Sequence, residues 1–230
     1  MTMIADNLQA VRERMSAACI AAGRQSESVH ILAVSKTYGT AAIEQAMAAG
    51  QASFGENYVQ EALEKIQALR QHEVQWHCIG PVQSNKTRLV AEHFDWVHSV
   101  DRLKTAQRLS DQRPAHLPAL QVCIQVNTDG GANKAGVAPL ELAALARAVS
   151  QLPKLSLRGL MTLPEPTSDF QAARALHTRA RVLFDQLNAD GLAMDTLSMG
   201  MSADLEAAIH AGSTLVRVGS AIFGARLASR

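Results

Sequence analysis

Apolar residues along this chain follow two alternating patterns. The first pattern begins in residues 3–22, where apolar side chains recur at alternating steps of four and three and make one stripe on a helix. The second pattern is a short apolar run, which is typical of a buried strand. We predict a strand at each of these short runs: 30–36, 52–57, 74–80, 94–100, 120–127, 156–163, 195–200 and 214–219.

Helical runs lie between the predicted strands, and capping residues indicate where several of them begin or end. The run 40–49 stops at Gly50, a residue type that readily adopts the positive φ of a helix end. Asp101 stands in position to cap the next helix, and Pro139 suits a first turn, where proline is tolerated. Further helices are predicted over 57–70 and from positions near Ser84, Ser168 and Ser202.

Eight strands that each precede a helix predict a closed (β/α)8 TIM barrel of the α/β class. Only residues 220–230 follow the last strand, so the eighth helix must be short, and we expect the N-terminal helix to cover that wall. The alternative is an open doubly wound sheet, although such sheets more often have about five or six strands. We expect one domain over 1–230, with an N-terminal docking helix in 1–23 and the barrel in 30–220.

Composition narrows the class of partner. The chain has 22 Lys and Arg residues against 21 Asp and Glu, a formal net charge of +1, and 47% hydrophobic residues. Nucleic acids and anionic membranes select clustered basic residues, so we expect a small ligand instead. Cys19, Cys78 and Cys123 match no disulfide or zinc pattern, which suits a reducing cytoplasm. We identify neither a signal peptide nor a stretch that could span a bilayer.

Active sites of (β/α)8 barrels lie at the carboxyl ends of the strands. Lys36 ends the first strand, where partial burial disfavours its charged form and leaves an amine able to form a Schiff base. Gly219 and Ser220 follow the last strand and, with Ser202 at a predicted helix start, suit a phosphate group. A solvated lysine, an ordinary turn and an ordinary N-cap would explain each feature separately. Together they indicate a phosphorylated aldehyde, of which pyridoxal 5′-phosphate (PLP) is the common one.

Six longer segments resemble one family. They are VSKT at 34–37, FGENYVQEA at 54–62, WHCIGPVQSNK at 76–86, RGLM at 158–161, LSMGMSADLEAAI at 197–209 and VRVGSAIFGAR at 216–226. In order and spacing they resemble the YggS/PROSC family of PLP-binding proteins, also called PLP homeostasis proteins. The resemblance covers nearly the whole chain and implies an alanine-racemase-like barrel of PLP fold type III.

The resemblance also implies roles for individual residues. Lys36 would hold PLP as an internal aldimine, Asn57 and His77 would line the cofactor, and Arg217 would face the pyridine nitrogen. A guanidinium there keeps the nitrogen unprotonated, so the ring would be a weak electron sink. The implied cofactor-binding residues are Lys36, Asn57, His77, Met201, Ser202, Arg217, Gly219 and Ser220, and the resemblance implies no catalytic or metal-ligating residue.

Two positions depart from the family pattern. Tyr38 replaces a second lysine that many relatives carry shortly after the Schiff-base lysine, and Gly131 stands where relatives tend to have a glutamate. Asn127, Lys134 and Gly136 in the same loop keep the pattern. Lys134 is a candidate for an auxiliary anion or PLP contact, with a solvated loop lysine as the alternative.

Three functional classes fit these residues. We favour a carrier that holds PLP in intracellular PLP (vitamin B6) and amino-acid homeostasis, without strong catalysis of its own. Apo-enzymes that use PLP are then candidate partners, and we expect a monomer. The alternative is a PLP-dependent amino-acid racemase of low activity, but that enzyme needs a second base, commonly from an added domain that we do not expect here. A Schiff-base aldolase on a sugar phosphate would leave Arg217 and the six segments unexplained.

Overall fold

Eight parallel strands form a closed barrel in the computed structural model, which describes residues 2–130 and 135–224. Each strand pairs with its sequence neighbour, and the last pairs with the first, with Leu32 opposite Arg217. This closure confirms the predicted barrel and excludes the open sheet. The strands are β1 (His30–Val34), β2 (Ser53–Glu56), β3 (Gln75–Cys78), β4 (Trp96–Val100), β5 (Leu120–Gln125), β6 (Leu155–Met161), β7 (Thr196–Met201) and β8 (Leu215–Val218).

Helices surround the barrel and alternate with the strands. None of the helices in the described ranges combines the length and the hydropathy that a bilayer span requires. A short 3-10 turn at Ser26–Ser28 precedes β1. The helices are α1 (Met3–Ala21), α2 (Thr40–Ala48), α3 (Val59–Ala68), α4 (Thr87–His93), α5 (Leu103–Gln112), α6 (Pro139–Ser150), α7 (Phe170–Ala189), α8 (Leu205–His210) and α9 (Ser220–Phe223).

Three predicted helix starts differ from the structure. Arg102, not Asp101, is the N-cap of α5, and it makes no side-chain capping bond. Asp101 instead forms an ion pair with the Arg102 side chain, with 3.4 Å between the carboxylate and Nε. The helices expected near Ser84 and Ser202 begin three residues later, because a turn separates each of these residues from the first helical position. Pro139 does occupy the first turn of α6, as predicted.

The N-terminal helix α1 covers the barrel wall beside the short helix α9. The side chains of Leu8 and Val11 are buried, and α1 contacts α2, α8 and α9. Asn7 donates from Nδ2 to the carbonyl of Ile222 in α9 at 2.9 Å, and Arg14 forms an ion pair with Glu206 of α8. Helix α9 has only one turn, so the structure confirms that α1 takes the place of a full eighth helix.

Removing apolar contacts from α1 should destabilise the barrel. Leu8 is fully buried, so Leu8→Ala should lower the free energy of unfolding by about 2–4 kcal/mol through lost burial and a residual cavity. Ile20 lies on the same helix with 72% of its surface exposed, and Ile20→Ala is the matched control with little expected effect. Urea denaturation of both variants measures the difference, and equal stabilities would contradict the docking role of α1.

Candidate functional site

A cavity of about 350 Å³ opens at the carboxyl ends of the strands. Its wall includes residues that follow β1, β2, β7 and β8, which barrel closure brings together. Every predicted cofactor-binding residue except His77 lines this cavity. The lining residues are Val34, Lys36, Tyr38, Asn57, Ile79, Leu163, Met201, Ser202, Ala203, Arg217, Gly219 and Ser220.

A buried ion-pair network holds the segment that carries Lys36. Ser35 donates from Oγ to Glu56 Oε1 at 2.6 Å, and Lys65 Nζ donates to the Ser35 carbonyl at 2.9 Å. The same Lys65 ammonium contacts Glu56 at 2.8 Å and Glu61 at 2.6 Å. Thr37, on the other side of Lys36, has a positive φ of 70° and donates its N–H to Glu61 Oε1. The backbone on both sides of Lys36 is therefore fixed by one lysine and two carboxylates.

Glu56 is the buried carboxylate of this network. Burial raises its pKa, while the hydrogen bonds from Lys65 and Ser35 oppose that shift because they stabilise the charged form. Its second oxygen, Oε2, has no hydrogen-bond partner among the described residues. The Lys65 ammonium is therefore needed to compensate the Glu56 charge inside the protein.

Removing the Lys65 charge should destabilise the fold. Lys65→Met leaves the Glu56 carboxylate buried without its cation, so the free energy of unfolding should fall by about 3 kcal/mol. The double variant Lys65→Met/Glu56→Gln should recover part of that loss, because no unpaired charge remains. Chemical denaturation measures both, with Lys104→Met on the exposed surface of α5 as the control. Wild-type stability in Lys65→Met would contradict this role.

Arg217 places a cation at the floor of the cavity. The residue is 4% exposed, and its Nη1 donates to the Ser198 carbonyl at 2.6 Å and to Ser198 Oγ at 2.7 Å. Its Nη2 donates to the Thr162 carbonyl at 2.9 Å. Burial lowers the pKa of Arg217 to about 10, so the guanidinium stays charged at neutral pH. None of the residues that line this cavity is a carboxylate, and the opposing charge comes from Asp204, outside the lining, which acts to raise the pKa of Arg217.

Other polar residues that line the cavity, Ser202, Ser220 and Asn57, suit a phosphate and an aromatic ring with polar substituents. The hydroxyls of Ser202 and Ser220 lie 3.5 Å apart. Gly219 allows the end of β8 to pack closely against β1, because a Cβ there would lie 3.3 Å from the Val34 carbonyl oxygen. Asn57 Oδ1 is buried and has no hydrogen-bond partner among the described residues. Such an atom costs free energy unless a ligand or a water satisfies it. The two hydroxyls and the Arg217 guanidinium are donors, and they suit the phosphate and the ring nitrogen of PLP, which accept hydrogen bonds.

Tyr38 has a structural role at this cavity. Its hydroxyl donates to the Gly224 carbonyl at 2.7 Å, and its ring stacks on Phe223 with 4.9 Å between the centroids. Both partners lie at the end of α9, the helix that begins with Ser220. Tyr38 thus links the loop after β1 to α9. The other departure, Gly131, and the candidate Lys134 lie outside the described residues.

His77 does not line this cavity. Its Nδ1 lies 2.9 Å from His98 Nε2, its Nε2 lies 3.0 Å from Gln75 Oε1, and its ring stacks on Trp96. His77 lines a separate cavity of about 930 Å³ at the amino ends of the strands. The position of His77 near the end of β3 predicts a place at the cavity rim. Its side chain is instead 1% exposed inside the barrel, below the level of the loops.

Sequence reasoning placed Ser198 near the end of β7 without assigning it a role, and it missed His98, which is linked to Arg217 through Ser198. Ser198 accepts a hydrogen bond from Arg217, and its Oγ lies 2.8 Å from His98 Nδ1. His98 is in the middle of β4, and the alternation of inward side chains on β3 and β4 was the signal that could have paired it with His77. Arg217, Ser198, His98 and His77 are all buried, so the barrel interior is partly polar.

Comparison with known proteins identifies the family. The family model described as alanine racemase, N-terminal domain, matches residues 3–227. A pyridoxal phosphate homeostasis protein of Pseudomonas aeruginosa is 59% identical over 226 residues, which are 98% of this chain and 97% of the relative. The protein of the same name from Escherichia coli K12 is 52% identical over 229 residues, covering 98% of each chain. The chain belongs to the pyridoxal phosphate homeostasis protein family.

Solved structures of this family and of its wider fold are also similar. PipY of Synechococcus elongatus with PLP bound has a TM-score of 0.84 and 38% identity, covering 96% of this chain and 100% of that one. An alanine racemase from Clostridium difficile has a TM-score of 0.77 at 16% identity, and covers 97% of this chain but 58% of the racemase. The racemase therefore shows a shared fold only.

Acid should destabilise the protein through the two barrel histidines. Burial lowers the pKa of His77 to about 3 and that of His98 well below its usual range, whereas unfolded histidine has a pKa of about 6.5. Below pH 6.5 the unfolded chain therefore binds protons that the folded protein does not. The free energy of unfolding should fall as the pH falls, by up to about 1.4 kcal/mol per pH unit for each ring.

Urea denaturation between pH 7 and pH 5 measures this slope. His98→Gln should reduce the slope because one buried titratable ring is gone, whereas His72→Gln, at an exposed residue, should leave it unchanged. A wild-type slope in His98→Gln would show that the barrel histidines do not cause the acid sensitivity.

Proposed function

We propose that this protein binds PLP covalently through Lys36 in the cavity at the carboxyl ends of the strands. The observation that carries the proposal is the composition of the cavity wall: one amine, one guanidinium, one orphaned amide oxygen and a pair of hydroxyls beside a glycine. The names of the relatives and the PLP-bound PipY support it. PLP supplies an aldehyde, and condensation with the Lys36 amine forms a carbon–nitrogen bond with loss of one water.

Each lining residue has a part in this proposal. Ser202, Gly219 and Ser220 hold the phosphate with two hydroxyls and backbone N–H groups. Asn57 supplies a buried amide to the bound molecule, and Met201 contributes to the wall beside Ser202. Arg217 faces the ring nitrogen as a donor. Because its guanidinium stays charged, it leaves that nitrogen unprotonated and weakens the ring as an electron sink.

The same wall favours a carrier over an enzyme. Lys36, Tyr38 and Arg217 are the titratable residues that line the cavity. The Tyr38 hydroxyl is committed to the Gly224 carbonyl, and Arg217 stays protonated at neutral pH. A racemase needs two groups that exchange protons on opposite faces of the substrate. We therefore assign the protein to the control of PLP level and delivery, with amino-acid homeostasis as the consequence and without strong catalysis of its own.

A low racemase activity is the second candidate. It is favoured by one observation, the position of Tyr38 on the cavity wall, because release of its bond to Gly224 would free a phenol hydroxyl near Lys36. Incubation with each L-amino acid, followed by chiral analysis, separates the two functions. D-amino acid formed at a rate that depends on Tyr38 would assign the protein to the racemases.

The proposed partners follow from the chemistry of PLP. Apo-enzymes that need PLP are the acceptors, and neither nucleic acid nor a membrane is expected, given the net charge of +1. We propose a monomer in the cytoplasm. The three cysteines are buried and free, and burial raises the pKa of Cys78 and Cys123 to about 12, which makes both thiols unreactive.

Lys36→Ala should abolish the visible absorbance of bound PLP without unfolding the barrel. The side chain lies at the mouth, beyond the end of β1, and contributes little to the core. Absorbance spectra with added PLP and circular dichroism measure the two effects, and Lys104→Ala is the matched control. Covalent PLP retained in Lys36→Ala after borohydride reduction would contradict the assignment of Lys36.

Ser220→Ala should weaken PLP binding by about 1 kcal/mol, roughly a fivefold rise in dissociation constant, because one phosphate hydrogen bond is lost. Titration of the protein with PLP measures the change. Ser168→Ala, at an exposed residue before α7, is the control. Equal affinity in Ser220→Ala and wild type would contradict a hydrogen bond between the phosphate and the Ser220 hydroxyl.

A further inference from the structure

A continuous run of hydrogen bonds crosses the barrel interior from the floor of the upper cavity to its amino end. It passes from Arg217 Nη1 to Ser198 Oγ at 2.7 Å and from Ser198 Oγ to His98 Nδ1 at 2.8 Å. It continues from His98 Nε2 to His77 Nδ1 at 2.9 Å and from His77 Nε2 to Gln75 Oε1 at 3.0 Å. Four strands, β8, β7, β4 and β3, contribute these residues.

The residues at the two ends of this run of hydrogen bonds require the same donor-to-acceptor direction, from Arg217 towards Gln75. Arg217 can only donate, so Ser198 Oγ accepts from it and has its own hydrogen available for His98 Nδ1. At the other end Gln75 Oε1 can only accept, and it also receives the Ser53 hydroxyl at 3.2 Å. His77 must therefore carry its hydrogen on Nε2, which leaves Nδ1 to accept from His98 Nε2.

Burial keeps both rings in the neutral form that this pattern requires. His77 is 1% exposed and His98 is fully buried, and desolvation lowers the pKa of each ring. The positive charge of Arg217 further disfavours a proton on His98. A neutral imidazole has one donor and one acceptor, so each ring passes the hydrogen-bond direction on without a break.

We propose that Ser198, His98 and His77 are positioning residues that hold the Arg217 guanidinium in one orientation beneath the cofactor cavity. Three of the five guanidinium donors are used by Ser198 and Thr162, which leaves Nε–H and one Nη2 hydrogen for a ligand. Because His98 Nδ1 accepts the Ser198 hydrogen, the lone pairs of Ser198 Oγ stay directed away from His98 and one of them accepts from Arg217. The acceptor on His98 Nδ1 therefore determines how well Arg217 is held.

The link to PLP in this inference rests on the proposed function, but the run of hydrogen bonds from Arg217 to Gln75 does not. Its first test therefore uses the protein without PLP. Nitrogen-15 NMR of histidine-labelled protein should show both His77 and His98 protonated on Nε2 and unprotonated on Nδ1 at neutral pH, with assignments from His77→Gln and His98→Gln. A hydrogen on Nδ1 of either ring would overturn the proposed direction.

The second test measures Arg217. In the wild-type protein a held guanidinium should give separate NMR signals for its Nη hydrogens, whereas Ser198→Ala should shift and broaden those of Nη1, because the Ser198 hydroxyl bond is lost while the bonds to the Ser198 and Thr162 carbonyls remain. Ser213→Ala is the matched control, since Ser213 is equally buried and donates only to backbone carbonyls outside the chain. Identical Arg217 signals in Ser198→Ala and wild type would overturn the positioning role.

PLP titration then connects the chain to the cofactor. Ser198→Ala should bind PLP about tenfold more weakly and shift the visible absorbance maximum, because the donor to the ring nitrogen is displaced, while Ser213→Ala should match wild type. Equal losses in both serine variants would reduce the effect to general destabilisation and overturn the link. If wild-type protein binds no PLP, the proposed function is wrong. The histidine tautomers and the Arg217 signals still show whether the hydrogen bonds run in the proposed direction and hold Arg217.

Discussion

Pairing of β1 with β8 is the constraint on which the site depends. These strands are the first and the last of the barrel in sequence, yet their parallel pairing places Leu32 opposite Arg217 and Ala33 opposite Val218. The residues after each strand then share one rim, so Lys36 and the Gly219–Ser220 pair line the same cavity. Without closure the Lys36 amine and the Gly219–Ser220 pair would be at opposite edges of a sheet. Helix α1 supports the β1–β8 pairing because it packs against α8 and α9, two short helices that cover little of the barrel on this side.

Electrostatics divides the barrel into two compartments. Lys65, Glu56 and Glu61 form a network behind the loop that presents Lys36, in which the buried Lys65 ammonium pairs with two carboxylates and the formal charge is −1. The core of the barrel below the cavity has the opposite arrangement, with Arg217 beside neutral histidines and no carboxylate among the cavity-lining residues. The positive charges that line the cavity itself, Lys36 and Arg217, suit an anionic ligand, while Asp204 opposes the charge of Arg217 from outside the lining.

Three acceptors hold Arg217 inside the barrel. A guanidinium has five donors and no acceptor, so the groups that orient it must accept hydrogen bonds from it. Two backbone carbonyls and the Ser198 hydroxyl supply those acceptors. The neutral histidines extend this arrangement down to β3, at the expense of stability in acid, since both rings must be protonated when the chain unfolds at low pH.

The sequence by itself determined the elements, their order and the barrel, because apolar periodicity is a local property and eight strand–helix repeats have few compact solutions. It also placed Lys36, Asn57, Ser202, Arg217, Gly219 and Ser220 near strand ends, where the structure brings them around one cavity. The tertiary structure decided what depends on depth and on partners from distant strands. His77 is near a strand end in sequence but lies inside the barrel, and Asp101 pairs with Arg102 instead of capping α5. The physical reason is that strand tilt and stagger set the layer that each inward side chain occupies, and no local pattern contains either quantity.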